Sequence, residues 1–149
     1  MKKLFIYYSL TGNGDVIADL LKEKGYEIRK VIPKDSLPKN FFLSMMIGGF
    51  KAFINMKDEL IDFNSDIADY DKVVIGSPVW NDRISSPINT VLSKLEINNK
   101  DLSFVLYSAS GKASRASEKI RKYNDADIVV LKSPKDKKEE LNKININYK

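Results

Sequence analysis

The chain has 149 residues, a length that favours one domain with a single hydrophobic core. With 43% hydrophobic and 30% charged residues, its composition is typical of globular proteins and argues against extended disorder. Cysteine and histidine are both absent from the sequence. Their absence excludes disulfides, thiolate chemistry, cysteine-based metal sites and histidine acid–base catalysis. Any redox or group-transfer function must therefore rely on a bound cofactor.

The net charge of +5 comes entirely from the carboxyl-terminal quarter of the chain. Residues 1–111 contain 14 basic and 14 acidic side chains, whereas residues 112–149 contain 11 basic and 6 acidic ones. The basic residues are 21 lysines and 4 arginines, although forked contacts to bases and phosphates favour arginine. We therefore interpret the excess as a lysine-rich surface and expect no binding to nucleic acid.

Neither the apolar segment near the amino terminus nor the longer internal one indicates a membrane protein. The apolar run Leu4–Tyr8 is far shorter than the core of a signal peptide. The longer apolar segment Asn40–Met56 is interrupted by Lys51 and is too short to span a bilayer. We therefore expect a cytoplasmic protein that makes no membrane contact.

Hydrophobic patterning predicts strands and helices that alternate along the chain. The predicted strands are Lys3–Tyr8, Tyr26–Ile32, Lys72–Gly76, Leu102–Tyr107 and Ile128–Leu131. The predicted helices are Asp15–Lys24, Asn40–Met56, Pro87–Leu95, Ala113–Tyr123 and the charged segment Lys135–Ile144. This alternation predicts one α/β domain over residues 1–149, with a mostly parallel sheet covered by helices on both faces.

The second predicted helix, Asn40–Met56, is apolar on almost every side. Helical spacing places five of its residues in one stripe: Phe42, Met46, Gly49, Phe50 and Phe53. A stripe of this kind predicts a helix of the core or of an interface between proteins.

In parallel sheets, ligands bind beyond the carboxyl ends of the strands, where the strand order reverses. Three predicted loops follow strands at that edge: Ser9–Gly14, Ser77–Asp82 and Ser108–Lys112. All three are rich in small or hydroxylated residues. We therefore expect the binding site between them.

The first loop has the composition of a phosphate-binding loop. It places two hydroxyls, one amide and two glycines directly before a helix amino terminus, where free backbone N–H groups and the helix dipole attract anions. Neutral donors suffice for a small dianion, so neither a lysine nor a metal is needed at this loop. The residues are Ser9, Leu10, Thr11, Gly12, Asn13 and Gly14.

Three other structures could account for the composition of this loop. A Walker loop requires G-x-x-x-x-G-K followed by Ser or Thr, and no lysine stands at that place. The dinucleotide fingerprint G-x-G-x-x-G is half met by Gly12 and Gly14, but Ile17 occupies the position of its third glycine. A plain strand–helix turn capped by Asp15 stays open.

The segment Tyr8–Asn13 resembles the phosphate loop S-x-T-G-x-T of flavodoxin-like proteins, and Gly76–Asp82 resembles the flavin-ring loop of the same family. The resemblance implies a three-layer α/β/α fold with a five-stranded parallel sheet in the order 2-1-3-4-5. It also implies a noncovalently bound FMN and electron transfer through its semiquinone and hydroquinone states. The chain is similar to the short-chain members, because strand five lacks a long insertion. Gly14 stands where the family usually has a hydroxylated residue, so one hydrogen bond to the phosphate is expected to be lost.

The resemblance places the flavin among three groups of residues. Trp80 is expected to lie in a loop and to stack on the flavin ring, or else to form a lid on a helix. Asn81 and Asp82 tolerate positive φ, so a nearby peptide could turn its carbonyl toward the flavin. The small third loop would leave one ring face open or covered by another subunit. The expected FMN contacts are Ser9, Leu10, Thr11, Gly12, Asn13, Gly14, Pro78, Val79, Trp80, Asn81, Asp82, Ser108, Ala109, Ser110 and Gly111.

Three functions follow from this sequence. The first is an electron carrier that serves a protein redox partner, and the second is an NAD(P)H-dependent FMN or quinone reductase. The third is a cofactor-free interaction module that uses Asn40–Met56 as its contact surface. The chain is expected to be a monomer or a homodimer.

Basic residues outnumber acidic ones on the helix after the third loop. This positive charge is expected to favour the anionic hydroquinone of the flavin and so to raise the reduction potential of the couple that forms it.

Overall fold

A parallel sheet lies at the centre of the molecule, in a computed structural model that describes residues 1–123 and 125–147. The strands are β1 (Lys3–Tyr7), β2 (Tyr26–Lys30), β3 (Lys72–Trp80), β4 (Arg83–Ile84), β5 (Asp101–Ser108) and β6 (Asp127–Lys132). Five of them are parallel and lie in the order β2–β1–β3–β5–β6, while the short β4 pairs antiparallel with β3. The predicted order of the five main strands is confirmed.

Helices cover both faces of the sheet, because successive strand residues point to opposite sides. In β1, Leu4 and Ile6 belong to the core under α2, α3 and α4, whereas Phe5 and Tyr7 belong to the core under α1 and α5. The three-layer α/β/α architecture is therefore confirmed. The helices are α1 (Asn13–Glu23), α2 (Phe41–Phe53), α3 (Ser86–Lys94), α4 (Ser114–Tyr123) and α5 (Asn142–Asn147), and α5 is preceded by the 3-10 turn Lys138–Leu141.

β3 is longer than predicted, and the expected loop Ser77–Asp82 consists of the end of β3 and the turn of a β-hairpin. The pairing of β3 with β5 continues to Pro78, and Trp80 then pairs with Arg83 of β4. Asn81 and Asp82, with φ of 50° and 58°, form the two-residue turn of this hairpin. Positive φ at both positions gives a turn whose twist matches that of the strands. The expectation of positive φ at these two residues is confirmed.

α2 turns a small-residue face inward and its large side chains outward. Its buried residues are Ser44, Gly48 and Ala52, and a Cβ atom on Gly48 would lie only 3.1 Å from Cε3 of Trp80. The apolar stripe that includes Phe42 and Phe50 is exposed instead. The stripe itself is therefore not part of the core, and the alternative, an interface between proteins, stays a prediction.

In the two described segments, 1–123 and 125–147, no helix combines the length and the hydropathy that crossing a membrane would require.

We expect the folded protein to lose stability at alkaline pH because of Tyr8, the residue that follows β1. Its side chain is buried, and burial followed by the nearby Asp58 carboxylate raises its pKa to about 12. A pKa raised above the unfolded value of 10.0 means that the stabilisation is complete below about pH 10 and is lost as the pH rises towards 12. We expect the free energy of unfolding, measured by urea titration, to fall over this range. In Tyr8→Phe the fall should be smaller by up to roughly 2–3 kcal/mol. Parallel curves for the two proteins would contradict this assignment.

Candidate functional site

The three predicted loops meet at the carboxyl edge of the sheet, where they enclose two adjoining cavities. We call these the first-loop cavity, of about 230 Å³, and the third-loop cavity, of about 340 Å³. They share three lining residues, Val79, Ser108 and Ala109. Eleven of the predicted site residues line one or both cavities: Leu10, Thr11, Asn13, Pro78, Val79, Trp80, Asn81, Asp82, Ser108, Ala109 and Ser110. The structure thus brings the predicted groups together, and their contact with a ligand stays a prediction.

The first loop closes around the hydroxyl of Ser9. Ser9 Oγ accepts hydrogen bonds from the backbone N–H groups of Gly12 (3.1 Å) and Gly14 (3.0 Å). Gly12 adopts φ of 96°, a left-handed conformation that glycine accepts without strain, at the residue before α1. The loop therefore leads directly into the amino terminus of α1, and the amino terminus of a helix is where anions bind.

Asp15 does not cap this helix, so the interpretation as a turn capped by Asp15 is wrong. α1 begins at Asn13, and the Asp15 carboxylate instead accepts hydrogen bonds from Tyr7 Oη (2.7 Å) and Lys30 Nζ (2.8 Å). Burial alone would raise the pKa of Asp15, but the hydrogen bonds from Lys30 and Tyr7 lower it overall. Asp15 therefore stays ionised and ties α1 to β1 and β2.

A lysine lies against the first loop, although the composition of the loop requires none. Lys135 Nζ donates to the carbonyl oxygen of Thr11 (3.1 Å), and its backbone N–H donates to Asn13 Oδ1 (3.0 Å). Ser133 and Asp136, from the same segment, line the first-loop cavity. These residues follow β6, whose carboxyl end lies at the same edge of the sheet, so the topology rule that selected the other loops could have selected this one.

Gly14 is required by the packing beneath the first loop. A Cβ atom on Gly14 would lie 2.7 Å from Tyr107 Oη, 2.7 Å from Tyr7 Cδ2 and 2.9 Å from the Cβ of Ser9. The Tyr107 hydroxyl donates to the backbone carbonyl of Tyr8, and burial raises its pKa well above the usual value, so it remains protonated. The hydroxylated residue usual in flavodoxin-like proteins therefore does not fit here.

Trp80 lies at the end of β3 rather than in a loop. Its ring is 5% exposed, stands edge-on to Tyr8 with centroids 5.7 Å apart, and packs against Gly48 of α2. The prediction that placed it in a loop is wrong, because β3 extends four residues beyond its expected end. Trp80 still forms part of the wall of the first-loop cavity.

The hairpin turn at Asn81 and Asp82 is held by hydrogen bonds to both of its carbonyl oxygens. Asn81 O accepts from Arg83 Nη1 (3.0 Å), and Asp82 O accepts from the backbone N–H of Ala116 (3.0 Å). A rotation of either peptide toward a ligand would break one of these bonds. The Arg83 guanidinium itself lies over the ring of Phe53, 4.8 Å from its centroid.

Ser108, at the end of β5, lines both cavities. The residue is 8% exposed, and within the described residues its Oγ is enclosed and has no hydrogen-bond partner. A buried hydroxyl without a partner costs free energy, which a ligand that hydrogen bonds to it would recover. Ser108 therefore combines a place in both cavity walls with an unsatisfied hydroxyl.

The third-loop cavity has a mixed wall, in which polar side chains stand among apolar surface. Lys112 and Asp82 contribute opposite charges, and Ser110 and Ser114 contribute hydroxyls. A larger cavity of about 460 Å³ is lined by Asn55, Lys57, Asn89, Leu92, Ser93 and Lys119, none of which belongs to the predicted site. The edge of the sheet is thus the place where predicted residues and cavities coincide.

The family model of NADPH-dependent FMN reductases matches residues 12–134 of the chain. The chain belongs to this family. The matched region contains the second half of the first loop together with the complete second and third loops. FMN, the cofactor predicted from the resemblance, is confirmed at the level of this family, and the flavodoxin-like fold is the one expected for it.

Solved structures agree with the fold. A candidate flavoprotein from Bacteroides eggerthii has a TM-score of 0.77 and 19% identity, over 97% of this chain and 96% of its own. One from Bacteroides uniformis has a TM-score of 0.75 and 19% identity, over 85% and 86% of the two chains. A flavoprotein in complex with FMN from Lactobacillus acidophilus has a TM-score of 0.68 and 19% identity, over 93% and 97%. No curated protein matches the sequence.

The residues at the site fit the cofactor of the family. Within the part of the chain that the structure describes, Ser108 has an unpartnered hydroxyl and lines both cavities, and the amino terminus of α1 with Lys135 offers positive potential for a phosphate. The walls between them are largely apolar, as a flat ring system requires. Ser9, Gly12, Gly14 and Gly111 do not line the cavities, and the structure assigns the first three of them to the shape of the first loop.

Substitution of Gly14 tests whether packing or phosphate binding selects the glycine. We expect Gly14→Ala to lower the free energy of unfolding by about 1–3 kcal/mol, because the added carbon meets two tyrosines, and Gly14→Thr to lower it further. The matched control is Gly49→Ala in α2, where a Cβ atom meets nothing closer than Asn81 Cβ at 3.8 Å. This control should match or exceed wild-type stability by up to about 1 kcal/mol in urea denaturation. A Gly14→Thr protein as stable as the wild type, with tighter FMN binding, would show that the family pattern fits here after all.

Proposed function

We propose that this protein is an FMN-dependent oxidoreductase that oxidises NADPH and delivers the electrons to a second acceptor such as a flavin or a quinone. The observation that carries the proposal is the match of residues 12–134 to the NADPH-dependent FMN reductase family, a range that includes most of the residues that line the two cavities. The absence of cysteine and histidine supports it, since the chain has no side chain of its own for redox chemistry.

Different residues of the site would contact different parts of FMN. The first loop, the amino terminus of α1 and Lys135 would hold the phosphate, while Val79, Ser108 and Ala109 would contact the rest of the molecule between the two cavities. When bound, FMN supplies the hydride- and electron-accepting chemistry. The protein contributes position, a partly dry cavity and local charge.

Positive charge at the mouth of the third-loop cavity supports NADPH as the donor. Lys112 lines that cavity, and the exposed Arg115 lies one turn further along the chain in α4. Both cations would attract the phosphates of a dinucleotide, and they would also stabilise an anionic reduced flavin. The small third loop, with Ala109 and Ser110 in place of an aromatic side chain, leaves room for a nicotinamide ring beside the flavin.

A second candidate is the electron-carrier role of a short-chain flavodoxin. The same exposed cations, Lys112 and Arg115, favour an acidic protein partner, because complementary charge steers protein association. A carrier would bind FMN and exchange electrons with such a partner without consuming NADPH. The cofactor-free interaction module would bind no FMN at all.

These functions are separated by two measurements on the purified protein. FMN titration followed by fluorescence quenching should show saturable binding that is tighter than for riboflavin, which lacks the phosphate. The FMN-loaded protein should then oxidise NADPH in the steady state with a quinone acceptor, and replacing Lys112 and Arg115 by glutamine should raise KM for NADPH more than it lowers kcat. FMN binding without NADPH consumption would favour the carrier, and no FMN binding would overturn both redox functions.

A serine pair on β5 tests the cavity directly. Ser103 and Ser108 are both buried in this strand, and within the described residues the Oγ of each lacks a hydrogen-bond partner, but only Ser108 lines the cavities. We expect Ser108→Ala to weaken FMN binding by roughly three- to tenfold, which is the value of one hydrogen bond. Ser103→Ala should leave the Kd unchanged. Equal effects of the two substitutions in the same titration would exclude a direct contact by Ser108.

A further inference from the structure

The cavity of about 460 Å³ lies between α3, α4 and the segment that follows α2. We call it the lysine cavity. It shares no lining residue with the first-loop or the third-loop cavity. The described residues of its wall include two lysines and two asparagines but no carboxylate, and they are Asn55, Lys57, Asn89, Leu92, Ser93 and Lys119. A volume of this size is typical of sites that bind small molecules.

Lys119 is held at a fixed place in this wall by two side-chain amides. Its Nζ donates to Asn55 Oδ1 and to Asn89 Oδ1, at 3.0 Å in both cases. Asn89 is 5% exposed, and its Nδ2 donates in turn to the backbone carbonyl of Met56 (3.3 Å). Two of the three N–H groups of the ammonium are thus used, and the third has no partner among the described residues. The amides are neutral, so they orient the charge of Lys119 without balancing it.

A second positive charge lies in the same wall. Lys57 is exposed and also lines the lysine cavity. Burial, followed by the charge of Lys57, lowers the pKa of Lys119, because both disfavour its charged form. An opposite charge nearby has the reverse effect. An anion bound between the two lysines would therefore relieve an unfavourable interaction within the folded protein.

The carboxylates next to these two lysines in the sequence are engaged elsewhere. Asp58 accepts hydrogen bonds from Lys51 Nζ (2.9 Å) and Ser86 Oγ (2.6 Å). Glu118 lies 3.8 Å from Lys122 Nζ, one turn further along α4. Within residues 1–123 and 125–147, neither lysine of the cavity takes part in a salt bridge. The chain itself therefore does not balance the two charges.

A structural role for Lys119 explains only part of this arrangement. Its two hydrogen bonds join α4 to α3 and to the residue after the carboxyl-terminal cap of α2. Such a link does not require Lys57, whose charge opposes that of Lys119. Two cations in one wall are instead typical of a site for an anion.

The composition of the wall favours a phosphate monoester. This group carries nearly two negative charges at neutral pH, and lysine binds phosphate as a point charge. A carboxylate or a phosphodiester carries one charge and would leave one ammonium unbalanced. The half-buried Leu92 adds apolar surface, and the volume of the cavity exceeds that of a phosphate group. The wall therefore suits an organic molecule that carries the phosphate.

We propose that the lysine cavity binds a phosphorylated small molecule, with its phosphate between Lys57 and Lys119 and its organic part against Leu92. Asn55 supplies a further donor, because its oxygen is taken by Lys119 while its NH₂ group has no partner among the described residues. This site requires neither FMN nor the residues of the sheet edge, so it does not rest on the proposed function.

Titration of the protein without FMN by adenosine 2′-monophosphate, in a phosphate-free buffer, tests the site. The side-chain NH₂ signals of Asn55 and Asn89 in ¹H–¹⁵N NMR spectra should shift and saturate. Lys57→Met and, separately, Lys119→Met should raise the Kd at least tenfold, because each removes a charged hydrogen-bond donor. The matched control is Lys122→Met, which removes the same charge from an exposed position of α4 outside the cavity and should leave the Kd unchanged.

Three further titrations identify the source of the phosphate. Inorganic phosphate that binds as tightly as the nucleotide assigns the site to free phosphate, whereas weaker binding shows that the organic part contributes. NADP⁺ that shifts the two asparagine signals, when NAD⁺ does not, assigns the site to the 2′-phosphate of a dinucleotide. Each of these results supports a site for phosphate.

Three results would overturn the proposal. The first is the absence of a saturable shift of the asparagine signals up to about 10 mM ligand. The second is binding that both Lys57→Met and Lys119→Met leave intact, and Lys57 is exposed, so that its substitution does not threaten the fold. The third is equal weakening by Lys122→Met, which would indicate general attraction to a chain of net charge +5.

The same spectra keep this proposal separate from the proposed function. Phosphate bound at the first loop should shift the backbone amide signals of Gly12 and Gly14, which lie in that loop. Shifts there without shifts of the asparagine signals overturn the lysine cavity and leave the candidate site standing. Shifts of the asparagine signals in a protein that binds no FMN refute the proposed function and leave the lysine cavity standing.

Discussion

The pairing of parallel strands at the centre of the sheet is the constraint on which the site depends. Tyr7 pairs with Gly76, Pro78 with Tyr107, and Ser108 with Lys132, so the ends of β1, β3, β5 and β6 meet at one edge. The loops that follow these strands are far apart in the chain but adjacent in space. A shift in this register would separate the first loop from Ser108 and exchange the residues that face each helix layer.

The side-chain packing beneath the first loop is as constrained as the loop itself. Tyr7 and Tyr107 fill the space behind Gly14, and Ser9 binds the backbone on either side of Asn13. This packing excludes the side chain that other flavodoxin-like proteins use at Gly14. Lys135 arrives from the end of β6 and supplies a charge at the same loop, so the positive potential of the site has a source distant in sequence from the loop.

α2 links the candidate site to the outer surface. Its small face packs on Trp80, which lines the first-loop cavity, and its large side chains are exposed. Phe41 and Met45 are exposed and also line the first-loop cavity. A ligand at the sheet edge would therefore contact α2 and reduce the exposure of its apolar side chains to water.

The sequence alone determined the alternation of strands and helices, the loops at the site and the family resemblance, and that resemblance implied the strand order. The alternation and the loops follow from local patterns: apolar runs, glycines before a helix, and hydroxyls after strands. It also predicted the stripe through Phe42 and Phe50, but not the direction in which the stripe faces. That direction, the approach of Lys135 and the extension of β3 to Trp80 were decided by the tertiary structure. Each of them depends on how the other helices and strands pack. A local sequence pattern does not contain that information, because the packing partners are distant in the chain.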